Sequence, residues 1–528
     1  MNGNGVRFGA GTLALVVFAA MATACTADTS GLSSEGQLSV PGLPDAALEV
    51  MNQPQYDNAR WMISVSDLDT GEVLVDLDGD KMTEPASFVK TYSVGAAWLN
   101  WGSDHRIVTP VKRTGEVVGT TLDGDLVLVG KGDFTLGGRT KADGTVDYTN
   151  LDHNDANPLP GATLTTEDPL TGLDDLAEQV KASGIDSVTG DVIVDDRLFQ
   201  GELAGEPISP IVVNQNLIDI LVTPGAAGEP ATVEMTPAVA PWEIVGEVKT
   251  VAAGEDASIS DPASSQHGEI AIGGTIAADS EPVLKVFALE DPATFARTAF
   301  IEALGRAGVI VSSDPVAVNS AVALAEVDAV DALPSVAELE SLPLAEQAKY
   351  VMKISYNRGA QTYVCLLAAE AGVDDCSTGI TEVGRIWADA GLDIEGASLV
   401  DGSGLNGNFV TPENAVAIQT IMAERPDAEA WKATMPILGV DGSLAEVQAD
   451  SPAAGHVFAK TGTLVGGDEL NGRFRLNTKA LGGVMETKSG RDLAFIIIMN
   501  QGFTSDIDGV FTANDDVGAV AASIQQHY

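Results

Sequence analysis

A hydroxyl and an amine stand three positions apart near the start of the chain, at Ser87 and Lys90 in the run Ala-Ser-Phe-Val-Lys. If this run is helical, residues three apart share a face, so the two side chains can touch. Serine is a weak nucleophile that needs an adjacent base, and a lysine can be that base when burial or neighbouring cations keep its amine neutral. The pair alone is not specific, because a helix with this spacing of Ser and Lys is usually only a solvated face.

Two further fragments follow in a definite order, Ser355-x-Asn357 and then Lys460-Thr461-Gly462. Each of them is common alone. The ordered set of three resembles the one found in class A β-lactamases and penicillin-binding proteins. All three fragments in this order are far less frequent by accident than any one of them. The set therefore indicates serine acyl-transfer chemistry.

This resemblance implies a role for each reactive residue. Ser87 would attack a carbonyl carbon, and Lys90 would take the proton of its hydroxyl. Ser355 would relay that proton to the leaving amine, and Asn357 would orient Lys90 and the substrate amide. The backbone N–H groups of Ser87 and Thr463 would form the oxyanion hole.

The Lys-Thr-Gly fragment and the residue after it would bind the substrate. Lys460 places a positive charge beside Lys90, which favours the neutral form of the Lys90 amine. Together with Thr461, Gly462 and Thr463 it would hold the terminal carboxylate of a substrate.

Further stretches narrow the resemblance to one family and span nearly everything after residue 43. The chain resembles the class C low-molecular-mass penicillin-binding proteins, of the penicillin-binding protein 4 type. The gap between Ser87 and Ser355 is too long for a bare β-lactamase fold but fits this family, which carries inserted domains there. The family-like runs are Asp125–Asp133, Val188–Asp196, Leu399–Leu405, Gly439–Leu444 and Ala459–Leu464.

The sequence departs from the family pattern at three places. The usual Ser-Asp-Asn is Ser-Tyr-Asn here, with Tyr356 in the middle and both outer residues kept. Where the family often has Ser-Arg after Gly-Ser-Gly-Leu, this chain has Asn406-Gly407, so the arginine contact to an acidic peptide side chain is not carried over. The aromatic-rich segment that usually helps to hold the substrate is not recognisable around Pro207 to Gln215.

The resemblance implies a serine-type D-Ala-D-Ala carboxypeptidase that acts on peptidoglycan stem peptides through an acyl-enzyme on Ser87. Cleavage of D-alanyl cross-bridges is a further expectation, and β-lactams are expected as inhibitors. No cofactor is required, because a nucleophile, a base and an oxyanion hole supply the chemistry. No metal site is expected, because the five histidines do not cluster at metal-ligand spacing.

Three other functions are weaker interpretations. A β-lactamase would need a water-activating glutamate, and no Glu-x-x-Leu-Asn occurs between Ser355 and Lys460. A Ser-His-Asp hydrolase would need a Gly-x-Ser-x-Gly elbow, but Ser403 follows Asp401-Gly402. An envelope scaffold that has kept the fold and lost most activity is the alternative from another class, and the intact nucleophile and lysines argue against it.

The pattern of elements predicts an α/β fold, in which an antiparallel sheet is flanked by helices as in the penicilloyl-serine transferases. Residues 44–112 and 336–528 would form this catalytic domain. Short β-like runs alternating with Gly and Asp predict a β-rich insertion of one or two subdomains over 113–335. Two strands, 480–487 and 492–499, are expected near the end, followed by a last helix.

The N-terminus is a different kind of segment. Arg7 and the apolar stretch from Phe8 to Ala24 are typical of a secretory signal peptide, so residues 1–25 are predicted to direct export to the cell envelope. Ala22 to Cys25 resembles a lipoprotein processing site, which makes Cys25 a lipidation candidate; an uncleaved anchor and ordinary secretion are the alternatives. Residues 26–43 are rich in Ser, Gly and Pro and are interpreted as a tether, and membrane contact is expected only through this end.

Two features bear on stability and partners. Cys365 and Cys376 are the cysteines left after Cys25, and in an exported protein they could close a disulfide, with two buried thiols as the alternative. The formal net charge is −48, from 76 acidic against 28 basic residues. Such a field repels phosphate backbones, so nucleic acid is excluded as a partner.

Overall fold

The computed structural model describes residues 38–266 and 268–528. The predicted signal segment, Cys25 and most of the predicted tether lie outside the described residues. Eleven helices occur in the part that is described: α1 (Asp45–Met51), α2 (Lys90–Trp101), α3 (Thr171–Ala182), α4 (Pro292–Arg306), α5 (Val327–Asp331), α6 (Leu344–Lys353), α7 (Asn357–Glu370), α8 (Gly379–Asp389), α9 (Pro412–Ala423), α10 (Ala428–Lys432) and α11 (Ile507–His527).

The described residues also contain strands of very different length. The strands are β1 (Arg60–Asp67), β2 (Val73–Leu77), β3 (Val108–Arg113), β4 (Glu116–Val118), β5 (Thr121–Asp123), β6 (Leu126–Val129), β7 (Ser187–Val188), β8 (Val192–Asp195), β9 (Glu202–Leu203), β10 (Glu206–Pro207), β11 (Leu217–Thr223), β12 (Thr232–Thr236), β13 (Glu243–Val245), β14 (Val248–Val251), β15 (Ser258–Ile259), β16 (Ala263–Gln266), β17 (Glu269–Ala271), β18 (Gly274–Ala277), β19 (Val283–Ala288), β20 (Ile310–Val311), β21 (Ser335–Glu340), β22 (Ala397–Ser398), β23 (Phe409–Val410), β24 (Val457–Asp468), β25 (Arg473–Glu486) and β26 (Asp492–Thr504).

The largest sheet has five strands in the order β2-β1-β26-β25-β24, and all of its neighbours are antiparallel. Strand β26 is buried on both faces, because its run Ala494–Met499 is apolar at every position. Ala494, Ile496 and Ile498 join a core shared with α2 and α9, while the intervening residues face the layer formed by α11. The predicted antiparallel sheet flanked by helices is confirmed.

Helix α2 lies inside the molecule rather than on its surface. It packs against α6, α7 and α8, and every residue from Lys90 to Trp98 is buried. Gly95 permits this close packing, since a Cβ there would lie 2.4 Å from Cζ2 of Trp387. A lysine at the start of such a helix is withdrawn from water, which is the condition for losing its proton.

The region between α2 and α6 forms small sheets around a second apolar core. Two four-stranded sheets have the orders β20-β7-β5-β4 and β21-β3-β6-β8, and three-stranded sheets are built from β11 to β19. Strands β3 and β21 pair with each other at the two ends of this region. Residues 40–528 form a single unit. The division into a catalytic domain and an inserted region over 113–335 remains a proposal.

Two further observations concern the helices and a covalent link between them. None of the helices in residues 38–266 and 268–528 combines the length and the apolar character that crossing a membrane requires. Cys365 on α7 and Cys376 are joined by a disulfide bond in the structure. The disulfide therefore ties α7, which begins with Asn357, to the segment that leads into α8.

Candidate active site

Ser87 lies on a 3₁₀ turn, Ala86–Val89, and α2 begins only at Lys90. The sequence predicts one helix through both residues, whereas in the structure a 3₁₀ turn comes first, and its first residue, Ala86, has a left-handed φ of 50° that an α-helix does not accommodate. Ser87 is partly exposed between buried neighbours, so its hydroxyl can be reached from outside. Its N–H lies at the N-terminal end of helical structure, where backbone donors lack intrahelical partners.

The Lys90 amine is fully buried and lies at the centre of the site. Its Nζ is 2.8 Å from Oγ of Ser87, 2.6 Å from Oδ1 of Asn357 and 2.8 Å from the carbonyl oxygen of Ser403. Burial lowers the pKa of Lys90 to about 7, partly opposed by the charges of Asp401 and Asp155. Near neutral pH a large fraction of this amine is therefore unprotonated and able to accept a proton.

The turn between α6 and α7 presents the second fragment. Ser355 has a left-handed φ of 59°, and Asn357 is the first residue of α7. A non-glycine residue with this backbone costs about 1–3 kcal/mol, so the surrounding structure must hold it. The strained turn directs the Ser355 hydroxyl toward one amine and the Asn357 amide toward the other.

Lys460 is the second buried amine and comes from strand β24. Its Nζ donates to Oγ of Ser355 at 2.9 Å and to the carbonyl oxygen of Thr461 at 2.8 Å. Burial lowers the pKa of Lys460 well below its usual value, and the charge of Lys90 lowers it further. The two amines thus stand in one pocket, and the charge of Lys90 disfavours the charged form of Lys460.

The rest of the Lys-Thr-Gly fragment lies along the edge of the large sheet. A Cβ on Gly462 would come 2.3 Å from the carbonyl oxygen of Pro85, so glycine lets β24 approach the Ser87 turn. The Thr461 hydroxyl lies 2.8 Å from Oγ of Ser443, and the exposed Thr463 hydroxyl accepts from Lys479 at 3.2 Å. Because β24 is an edge strand, half of its backbone groups are not used by the sheet.

A loop after β22 braces the site, and sequence reasoning missed its role. The Asp401 carboxylate accepts hydrogen bonds from the N–H groups of Ser403 and Gly404, at 2.6 and 2.8 Å. Its second oxygen accepts from the Asn408 amide. This arrangement aims the Ser403 carbonyl at Lys90. The available signal was the Asp-Gly-Ser-Gly run, which is typical of a turn closed by its own carboxylate.

Asp155 is a second residue that sequence reasoning missed. It ends a short 3₁₀ turn of the inserted region, His153–Asp155. Burial raises its pKa to about 6, against the opposing charges of Lys90 and Lys460. An acidic group therefore faces the two amines from the inserted region, and nothing in the surrounding sequence distinguishes it from the many other acidic residues.

The geometry thus brings together three fragments that are far apart in the chain. The profile of the D-Ala-D-Ala carboxypeptidase 3 (S13) family matches residues 45–518. The chain belongs to the S13 family. The predicted resemblance to penicillin-binding protein 4 type carboxypeptidases is confirmed by this match.

Individual relatives agree with the family. The chain is 32% identical to a D-alanyl-D-alanine carboxypeptidase of Actinomadura sp. (strain R39), over 80% of this chain and 76% of that protein. It is 27% identical to carboxypeptidase DacB of Mycolicibacterium smegmatis, over 83% of this chain and 75% of the relative. Crystalline penicillin-binding protein 4 of Haemophilus influenzae shares the fold, with a TM-score of 0.64, 20% identity and coverage of 92% and 96% of the two chains.

Proposed function

We propose that this S13-family protein removes the terminal D-alanine of peptidoglycan stem peptides through an acyl-enzyme on Ser87. One observation carries the assignment of the residues. A fully buried amine, Lys90, lies within hydrogen-bond distance of the Ser87 hydroxyl and the Asn357 amide, while Lys460 lies equally close to Ser355. Solvated lysines would stay protonated, whereas burial lowers the pKa of both amines and favours their neutral forms beside the two hydroxyl groups.

Acylation would use Lys90 as the general base. The neutral amine takes the proton of the Ser87 hydroxyl as the oxygen attacks the carbonyl carbon of the D-Ala-D-Ala bond. The N–H groups of Ser87 and Thr463 would stabilise the negative charge that develops on the carbonyl oxygen. Asn357 supports both steps, since its amide oxygen fixes the Lys90 amine and leaves its N–H₂ for the substrate.

The leaving amine needs a proton, and Ser355 is placed to deliver it. Its hydroxyl accepts a hydrogen bond from Lys460 and can donate its own proton to the leaving amine. Ser355 would then be reprotonated by the proton that Lys90 took from Ser87, which returns the Lys90 amine to its neutral form. Water would then hydrolyse the acyl-enzyme with Lys90 again acting as base. The reaction consumes no cofactor, because every proton that leaves one group is accepted by another in the pocket.

The substrate's terminal carboxylate would bind along β24. Thr461 and Thr463 present hydroxyl groups there, and Ser443 lies beside the first of them. A D-Ala-D-Ala peptide ends in this carboxylate, whereas a cross-bridge cut by an endopeptidase carries it on a side branch. Endopeptidase cleavage is therefore a finer proposal than carboxypeptidase activity.

Peptidoglycan lies outside the cytoplasmic membrane, so this family acts extracytoplasmically. The signal segment over residues 1–25 would deliver the chain there, and lipidation of Cys25 would keep it at the membrane. A lipid anchor at Cys25 would let the protein incorporate radiolabelled lipid, and mild detergent would release the labelled protein from membranes. Cys25→Ala should incorporate no label.

Labelled penicillin tests the acyl-enzyme directly. We expect mass spectrometry to find one adduct on the peptide that contains Ser87, and none in Ser87→Ala. Unchanged thermal unfolding of Ser87→Ala would show that the fold is intact. An adduct elsewhere, or no adduct in the wild type, would overturn the assignment of the nucleophile.

Peptide substrates then separate the activities. Incubation with a pentapeptide that ends in D-Ala-D-Ala should release free D-alanine, and Lys90→Met should abolish the release. Incubation with cross-linked muropeptides tests the endopeptidase proposal. Penicillin binding without conversion of either substrate would favour the scaffold over an active carboxypeptidase.

A further inference from the structure

Four lysines are buried in the part of the chain that the structure describes: Lys90, Lys353, Lys460 and Lys479. A buried ammonium group is costly unless an anion or strong acceptors compensate for the lost water. Lys353 has such an anion, because both Asp441 oxygens lie 2.6 and 2.7 Å from its Nζ. Lys90 and Lys460 belong to the candidate active site. Of these four, only Lys479 has neither a carboxylate partner nor a role in the mechanism.

Lys479 lies directly opposite Thr463 on the neighbouring strand. Its side chain is 3% exposed, and its Nζ donates to Oγ1 of Thr463 at 3.2 Å. Within residues 38–266 and 268–528 no carboxylate forms an ion pair with it, although the chain carries 76 acidic residues. Burial lowers its pKa to about 7, and no neighbouring charge opposes this effect.

Thr463 connects this buried amine to the substrate groove. Its side chain is exposed at the sheet edge, two residues after Thr461 on the same strand. A hydroxyl accepts through its lone pairs and still has one proton to donate. When it accepts from a cation, the polarised O–H becomes a stronger donor to an anion.

Lys479 lacks a carboxylate partner among the described residues, and the proposed substrate carries a carboxylate. In the proposed function, the substrate brings a carboxylate to Thr461 and Thr463. That carboxylate would be the nearest negative charge to Lys479, reached through a single hydroxyl. Among the described residues the Lys479 amine has no anionic partner, and the carboxylate of a bound substrate would supply one.

We propose that Lys479 is a positioning residue for substrate recognition, which acts through the Thr463 hydroxyl to select ligands with a free carboxylate next to the scissile bond. This inference rests on the proposed function, in which β24 binds that carboxylate. Lys479 does not touch the reacting atoms. Its contribution is to orient the Thr463 hydroxyl and to strengthen it as a donor.

A pair of probes that differ only at the carboxylate tests this. We expect benzylpenicillin to acylate the wild type faster than benzylpenicillin methyl ester does. In Lys479→Met the acylation rate with the free acid should fall about tenfold, the size of one charge-assisted hydrogen bond. The ester rate should stay near that of the wild type, so the preference for the acid should fall by the same factor.

Two variants serve as controls. Lys479→Arg keeps the charge and should keep most of the preference for the free acid. Lys488→Met removes an exposed lysine in the turn after the same strand and should change neither rate. A folding defect in Lys479→Met would lower the rates with both probes equally and would overturn the inference.

The remaining outcomes are also decisive. An unchanged preference in Lys479→Met would overturn the role of Lys479 while leaving the acyl-enzyme intact. Equal rates for acid and ester in the wild type would overturn it too, because no carboxylate would then be recognised. Absence of any Ser87 adduct with either probe would instead refute the proposed function itself.

Discussion

The single group whose protonation decides the chemistry is the Lys90 amine. Its pKa of about 7 follows from full burial. Below this pH the amine holds a proton and cannot accept the one from Ser87; above it the amine is free. We therefore expect the acylation rate to rise as the pH increases through about 7, measured as the second-order rate constant with benzylpenicillin.

The negative charge of Asp155 affects the pH at which the acylation rate rises, that is, the acylation limb of the pH profile. Its negative charge raises the pKa of Lys90, and its own pKa of about 6 means that it is largely ionised near neutral pH. Asp155→Asn removes that charge, so the acylation limb should move to lower pH by a fraction of a unit. Asp143→Asn, an exposed carboxylate of the same inserted region, should leave the limb in place. A shift toward higher pH in Asp155→Asn would contradict this reasoning.

The 3₁₀ turn that carries Ser87 packs against the loop that contains Ser403, and Gly404 permits their close approach. Gly404 has a φ of 92°, and a Cβ there would lie 1.9 Å from the carbonyl oxygen of Ala86. Gly404→Ala must therefore displace the Ser87 turn or the loop that orients Ser403. We expect acylation to fall by two orders of magnitude or more, since a misplacement of about 1 Å costs roughly 100-fold.

Gly407 provides the matched control within the same loop. Its φ is 100°, so alanine there meets similar backbone strain, but its nearest neighbour is Cγ2 of Val400 at 3.4 Å. Gly407→Ala should lower the melting temperature as Gly404→Ala does while acylation stays near the wild-type rate. Equal loss of acylation in both variants would show that strain alone, rather than contact with Ala86, disturbs the site.

The elements also show which parts of the site could be predicted from the sequence. Reactive side chains such as Ser87 and Lys460 stand in short fragments of fixed spacing, so they could be recognised without knowledge of the fold. The Ser403 carbonyl could not, because a backbone acceptor has no side-chain signature. Lys479 and Asp155 reach the site only through strand register and long-range packing, which no local pattern specifies.

The fold, like the site, could be predicted where a short local pattern specifies an element. It was predicted less well where pairing with a neighbouring strand decides the length of the element. Two extended runs, 61–67 and 72–77, flank Asp69-Thr70-Gly71 and predict a hairpin, and the structure has this hairpin as β1 and β2. The last hairpin was predicted too short: β25 already begins at Arg473 and β26 continues to Thr504, and polar residues interrupt the apolar pattern in both extensions. The pairing there is maintained by register with the neighbouring strand rather than by hydrophobic alternation.

At the scale of the whole molecule, a buried charge network fixes the inserted region. Arg139 forms a two-point ion pair with Asp152 at 3.0 and 3.1 Å, and its guanidinium lies 5.1 Å from the Tyr350 ring of α6. Nδ1 of His153 lies 2.7 Å from the Asp219 carboxylate. This network holds the 3₁₀ turn that ends at Asp155. It therefore fixes where the inserted region places the Asp155 carboxylate relative to the amines of Lys90 and Lys460.

Breaking this network should affect stability and the site together. Arg139→Met leaves the Asp152 carboxylate buried without its cation, which typically costs 3–5 kcal/mol, so we expect a clear drop in the free energy of unfolding. Asp152→Asn in the same chain removes the orphaned charge and should recover part of the loss, because neighbouring residues couple. Chemical denaturation followed by circular dichroism measures both effects. Equal stability of Arg139→Met and the wild type would mean that the inserted region is held by its apolar core alone.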